Sequence, residues 1–276
     1  MKPLEPGPVA AGTEATLRRL AALGPFFAVA AHPPPVRPDA APPAPWRVFG
    51  ELTADPALLR DRVDRVRAHL ASAGRQPVAA VELRVAASVA QLGLTARLLS
   101  PALALAALDG ARPCLDPGAL RWQPELGGAF PLSLPLADLA PGPDPAPAPG
   151  VPAGTADPAG TVEAWADALL AGPVRELVRA VARLSVAEQI LWGNVASAVD
   201  AAARVAGAAL PARAARLRAT ADLLLDHPLL RAAHTADAGT GRFRRRNCCL
   251  IYRAAPGRAG GLCGDCVLGG GRAPAR

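Results

Sequence analysis

Hydrophobic positions recur at helical spacing through most of the chain. Leu59, Val63, Val66 and Leu70 lie three or four residues apart between Asp55-Pro56 and Gly74, the stripe expected of an amphipathic helix. Asp55 suits the N-cap, Pro56 the first helical position and Gly74 the stop. Similar patterns cover residues 78–92 and 96–108, where Pro101 is expected to bend or split the second. Farther on, residues 162–170 and 174–184 read as helical pieces separated by Gly172-Pro173. Ser185-Val186-Ala187-Glu188 has capping-box spacing and opens a long helix through Trp192 and Asn194 to about residue 208. A last helix is expected over residues 212–225, ended by His227-Pro228.

The period changes near residue 120. Leu120-Arg121-Trp122-Gln123 and Phe130-Pro131-Leu132-Ser133-Leu134 flank Gly127-Gly128, as two short strands flank a turn. Residues 140–160 are almost entirely Pro, Ala, Gly and Asp, a stiff connector unable to pack a core. The fold expected is therefore α+β, predominantly helical with a small antiparallel hairpin or sheet and a C-terminal four-cysteine metal-binding tail. It divides into an N-terminal helical and hairpin portion (residues 1–139), the connector (140–160) and a C-terminal helical portion (161–276) whose tail spans 242–266.

At 276 residues, 51% of them hydrophobic, the chain is long enough to bury a substantial core. The net charge of +7 would ordinarily suggest nucleic acid or an acidic surface. Lys2, however, is the only lysine, and Ala, Pro, Gly and Arg dominate, a skew typical of GC-rich coding. Nucleic acid is not expected as a partner. The opening Met1-Lys2-Pro3-Leu4-Glu5-Pro6 lacks the apolar run of a signal peptide. The Ala-rich stretches are short or broken by Asp200 and Arg204, so no membrane span is expected. A cytoplasmic location follows, with peripheral contact at the inner face of the cell membrane left open. The chain shows no Walker or GxSxG pattern, no GxGxxG in a strand-loop-helix context, and no acid–base pair identifiable from spacing.

Chemistry concentrates at the C-terminus. Of five cysteines, Cys248, Cys249, Cys263 and Cys266 lie within nineteen residues, and clustered thiols in a chain without a secretory signal are ligands or redox groups more often than disulfides. Cys114 stands apart and is expected to be a buried or half-buried thiol. Cys263-Gly264-Asp265-Cys266 is a CxxC knuckle that can turn two sulfurs onto one metal. Adjacent Cys248 and Cys249 point opposite ways in extended backbone, and a disulfide between them would be strained. Four sulfurs suit zinc or iron with sulfide. Zinc ribbons normally present two CxxC knuckles, whereas a [2Fe-2S] cluster offers two metals and more varied approach directions. His32, His69, His227 and His234 lack ligand spacing.

The tail resembles the ferric-siderophore reductases of the FhuF type, which carry a vicinal Cys-Cys, a nearby tyrosine, a loop and a CxxC. Cys248, Cys249, Tyr252, Cys263 and Cys266 carry the match. Upstream, Ala87-Ser88-Val89-Ala90-Gln91-Leu92-Gly93, Ala96-Arg97-Leu98-Leu99-Ser100-Pro101 and Leu191-Trp192-Gly193-Asn194 resemble segments of actinobacterial members. The loop of residues 250–262 is longer than is typical of that family, an insertion that Pro256-Gly257-Arg258-Ala259-Gly260-Gly261 can absorb.

The resemblance implies a [2Fe-2S] protein that reduces ferric iron in a hydroxamate-type siderophore by one electron. It would draw electrons from a donor protein such as a ferredoxin or flavin reductase. Arg242, Arg244, Arg245 and Arg246 are expected to form an electropositive collar for docking and for raising the cluster potential. Tyr252 is expected to pack near the cluster or donate to a sulfur, and Trp192 and Asn194 to be a core tryptophan and a local polar contact. An electron carrier for another partner and a zinc-stapled binding module are the alternatives.

Overall fold

In the computed structural model, residues 8–34, 41–126, 129–142, 162–237 and 240–269 are described. The strands and helices, in chain order, are α1 (Pro8–Ala22), β1 (Ala30–His32), β2 (Arg47–Val48), α2 (Glu51–Ala54), α3 (Pro56–Ala73), α4 (Leu83–Asp109), β3 (Arg121–Trp122), β4 (Leu132–Pro135), α5 (Val162–Leu169), α6 (Arg175–Ala182), α7 (Glu188–Ala209), α8 (Ala214–Asp226), β5 (His234–Ala236) and β6 (Phe243–Arg245). The chain is α+β and predominantly helical, as its periodicity predicts.

Helix α4 is the axis of the fold. Leu94, Leu98, Leu99, Leu103 and Leu105 are fully buried, because α3, α6, α7 and α8 all pack against it. It runs unbroken through Pro101, where the sequence suggested a bend or a division, and residues 78–80 form a separate 3₁₀ turn. An interior proline costs a helix about 3 kcal/mol. Burial of leucines on both sides of it offsets that cost. By length and composition α4 could cross a membrane, contrary to the expectation that no stretch reaches that apolarity, yet 78% of its most apolar window is buried inside the protein. Gly110 ends the helix with φ 66°, the left-handed conformation that glycine adopts without penalty.

Helix α3 begins as predicted, with the Asp55 carboxylate accepting from the amides of Ala57 and Leu58. Helix α7 begins differently. Its cap is Ala187, with no side-chain bond, and Ser185 takes φ 61° two residues earlier, so the capping box is not formed. Gly172 adopts φ −95° and ψ −110° at the kink between α5 and α6, where the sequence placed the break.

The predicted hairpin strands pair antiparallel, Arg121 opposite Ser133 and Trp122 opposite Leu132; Gly127 and Gly128 lie outside the described residues. The sheet is larger than a hairpin and mixed, in the order β1-β4-β3-β2, with β1 parallel to β4. Buried Trp122 meets Phe49 and Phe130 edge-on at 6.4 and 6.0 Å. Arg97 of α4 donates to the carbonyls of Phe130 (2.8 Å) and Phe26 (2.9 Å), tying helix to sheet. A second sheet, β5–β6, pairs His234 with Arg245 and Ala236 with Phe243.

Residues 143–161, most of the predicted connector, lie outside the described residues. The segments on either side share one core: Leu59, Leu98 and Trp122 belong to the same buried cluster as Leu177, Val195 and Leu224. Trp165 donates to the Pro113 carbonyl across that boundary at 3.0 Å. Cys114 is exposed rather than buried.

Two substitutions grade this description. Leu98→Ala should lower the unfolding free energy by about 2–5 kcal/mol, and Asp55→Ala by about 1 kcal/mol, measured by urea denaturation. A smaller loss at Leu98 than at Asp55 would contradict the central placement of α4.

Candidate metal centre

Strand β6 delivers the chain to the first cysteine pair. The Arg246 amide bonds to the Ala233 carbonyl at 3.0 Å, and the backbone bends into Cys248-Cys249. Leu250, at φ 70°, then reverses the chain into a 3₁₀ turn over Ile251–Ala254. The loop closes on itself where the Gly260 amide meets the Tyr252 carbonyl at 2.9 Å. A Cβ at residue 260 would sit 2.7 Å from that oxygen, so the closure requires glycine. The Cys266 amide bonds to the Cys263 carbonyl at 3.1 Å, forming the knuckle, and the Arg245 amide bonds to the Asp265 carbonyl at 3.0 Å. That last bond fastens the second cysteine pair beside the first.

The sulfurs meet crosswise. Cys249 Sγ and Cys263 Sγ are 3.5 Å apart, and Cys248 is hydrogen-bonded to Cys266. Cys248 and Cys266 each also take an amide from two residues ahead: Leu250 N–H to Cys248 Sγ at 3.3 Å and Leu268 N–H to Cys266 Sγ at 3.4 Å. Such amides stabilise negative charge on sulfur. A hydrogen bond from Cys263 brings the Cys249 thiol down to about 6, with help from the Ile251 amide and the Arg245 charge, against the opposing effect of burial. Cys263, holding that shared proton, is pushed well above the usual thiol range. Burial raises Cys248. Among the described residues no three His, Cys, Asp or Glu side chains are placed to hold a single ion; the arrangement is two pairs of sulfurs.

Beneath the pairs lies a polar seam that the sequence reading missed. Ser88 Oγ donates to the Cys249 carbonyl at 2.9 Å. Asn194 Nδ2 lies 3.1 Å from Ser88 Oγ, 3.0 Å from the Ser88 carbonyl and 2.8 Å from Gln91 Oε1. Gln91 in turn donates to Thr95 Oγ1 at 2.9 Å. Asn194 is therefore an interhelical strut between α7 and α4 rather than a local contact. Its signal was present in the sequence: Ser88, Gln91 and Thr95 form a polar stripe at helical spacing on a mostly apolar helix. Trp192 is half-buried and packs against the core.

Arg245 completes the seam. Strand alternation turns it inward with Phe243, and it is 1% exposed. One guanidinium nitrogen, Nη2, donates to Asn194 Oδ1 and to the Ile190 carbonyl. Gly193 makes room, since a Cβ there would lie 3.2 Å from Nη2. Nε and Nη1 are buried without a partner, and no carboxylate among the described residues pairs with the guanidinium. An uncompensated buried cation is costly. Anionic sulfur beside Cys249 would compensate it, and in that respect the site fits a thiolate-bound metal centre.

The expected collar divides accordingly. Arg245 is not a surface group. Arg244 is half-buried, donating to the Cys266 carbonyl at 3.0 Å and lying 3.4 Å from Asp237. Arg242 and Arg246 are exposed, and Arg246 Nε donates to the His234 carbonyl at 2.8 Å. Tyr252 is half-buried and its hydroxyl neighbours Arg253, whose guanidinium is 2.6 Å from Glu82.

No protein-family model, curated protein or solved structure matches this chain.

The seam should behave as one unit. Asn194→Leu is expected to cost about 3 kcal/mol, because it strands Arg245 and two acceptors, and Ser88→Ala about 1 kcal/mol. The double variant should cost clearly less than the sum in urea unfolding; strict additivity would argue against a shared network.

Proposed function

We propose that Cys248, Cys249, Cys263 and Cys266 hold a [2Fe-2S] cluster, and that the protein is a ferric-siderophore reductase resembling the FhuF type. The observation that carries this reading is the pairing of four sulfurs two by two beside a buried guanidinium that pairs with no carboxylate among the described residues. In this reading Cys249 and Cys263 serve one iron and Cys248 and Cys266 the other, so adjacent cysteines serve different metals. A single zinc ion would instead need all four sulfurs around one point.

When bound, the cluster supplies one-electron chemistry. The protein's part is to tune and expose it. Arg245 places fixed positive charge beside the cysteines and so favours the more negative, reduced form. The amides of Leu250 and Leu268 act in the same direction on Cys248 and Cys266. Ferric iron is held far more tightly than ferrous iron by hard, charged oxygen donors, so reduction weakens a hydroxamate's grip and releases the metal.

An electron donor needs a docking face. Leu262, Val267 and Leu268, which flank the CxxC, are 44%, 40% and 55% exposed, and exposed Arg242 and Arg246 stand on the neighbouring strand end. An apolar patch with a basic margin suits an acidic donor protein such as a ferredoxin.

Anaerobically purified protein should be red-brown, contain two irons and two sulfides per chain, and give a [2Fe-2S] paramagnetic resonance signal on reduction. A ferric trihydroxamate should oxidise it, and Cys248→Ser and Cys263→Ser should abolish both signal and oxidation. Colourless protein with one zinc per chain would refute the reading; a cluster indifferent to every ferric chelate would leave an electron carrier for another partner. Arg245→Gln should lower the midpoint potential by on the order of 100 mV, the scale for removing one unit charge from a partly buried site.

A further inference from the structure

A cavity of about 500 Å³ opens beside the second cysteine pair, among the C-terminal half of α7, the start of α8, the approach to β6 and the CxxC turn. Its volume is that of a small-molecule pocket rather than of a flat protein interface. One wall is the knuckle itself: Gly264 and Asp265, the two residues between Cys263 and Cys266, line it.

The lining is polar and unevenly paired. Asp200 is neutralised by Arg218 at 2.7 Å. Arg204 is only 3.8 Å from the same carboxylate and its side chain is 68% exposed, so it remains available at the rim. Arg242, exposed on the turn leading into β6, lines the cavity as well. Asp265 is held by the Ser197 hydroxyl at 2.5 Å, and Phe243, stacked on His234 at 5.3 Å, gives the pocket an aromatic side. Gly264 has nothing within 4 Å of where a Cβ would stand. Gly264 therefore brings the backbone between the two cysteines to the cavity wall with no side chain over it.

We infer that this cavity is where the iron(III) chelate binds, its oxygen donors facing Arg204 and Arg242 and its metal drawn against Gly264. The inference rests on the reductase reading above and assigns it a location. A compact, oxygen-rich chelate of low net charge matches the arginine donors, the aromatic side and the volume. A protein donor cannot enter such a cavity and is left the apolar face around Leu262, Val267 and Leu268. The balance is simple: the chelated iron(III) takes one electron, supplied by the reduced donor protein by way of this chain, and becomes iron(II), with no bond to the protein formed or broken.

Gallium(III) has nearly the size and the same charge as ferric iron but accepts no electron under these conditions, so binding can be read apart from reduction. Isothermal titration calorimetry of the cluster-loaded protein with the gallium(III) complex of a linear trihydroxamate should show saturable one-to-one binding. Gly264→Phe, which projects a ring into the cavity, and the double variant Arg204→Glu/Arg242→Glu should each weaken it about tenfold or more. Arg60→Glu, exposed on α3 and outside the cavity lining, should leave it unchanged. The paramagnetic resonance signal of each reduced variant checks that the site is intact; if Gly264→Phe loses it, the arginine variant decides alone.

Absence of gallium-chelate binding, or equal affinity in wild type and both variants, overturns the inference. The reductase reading fails separately, if no cluster is found or if no ferric chelate oxidises it.

Discussion

The interaction on which the site depends is the burial of the Arg245 guanidinium against α7. A charged side chain at 1% exposure with two unpartnered nitrogens is tolerated only where the surroundings hold it firmly and something balances its charge. Among the described residues its hydrogen bonds come from one turn of α7, the Asn194 side chain and the Ile190 carbonyl, in the space left by Gly193. Through Asn194 the same turn grips Ser88 and Gln91 of α4, and through Ser88 it reaches the Cys249 carbonyl. Position, charge and cysteine geometry are thus linked through a handful of hydrogen bonds.

The two parts of the molecule are stabilised by different means. The helical body buries a continuous apolar core around α4. The cysteine segment contributes little to it: from Cys248 onward, among the described apolar residues only Cys249, Ala254 and Cys266 are buried. Its shape comes from backbone bonds such as Gly260 to Tyr252 and Arg245 to Asp265, from the Arg253–Glu82 ion pair, and from the sulfurs' mutual contacts. A segment held in this way would gain rigidity from a metal bound to its sulfurs, since ligand binding and local folding are coupled.

This division also gives the site two faces. The apolar residues flanking the knuckle are exposed, whereas Gly264 and Asp265 between Cys263 and Cys266 line a polar cavity. In the reductase reading proposed above, such separation would let a protein donor and a small-molecule acceptor use different surfaces.

Local information sufficed for most of the helices and for the grouping of the tail's cysteines. Asp55-Pro56 with its leucine and valine stripe, the Gly172-Pro173 break and the cysteine cluster depend on residues close in sequence, where spacing directly encodes geometry. The uninterrupted course of α4 through Pro101, the parallel β1 strand and the inward turn of Arg245 do not. They follow from contacts spanning long separations: Ser88 with Cys249, Asn194 with Ser88, Arg245 with Asn194. By itself the sequence determined that four thiols lie near one another. Only the packing of α4 and α7 beneath them decided which sulfurs face each other and which of four consecutive-looking arginines is buried, because burial and charge balance are properties of the assembled core.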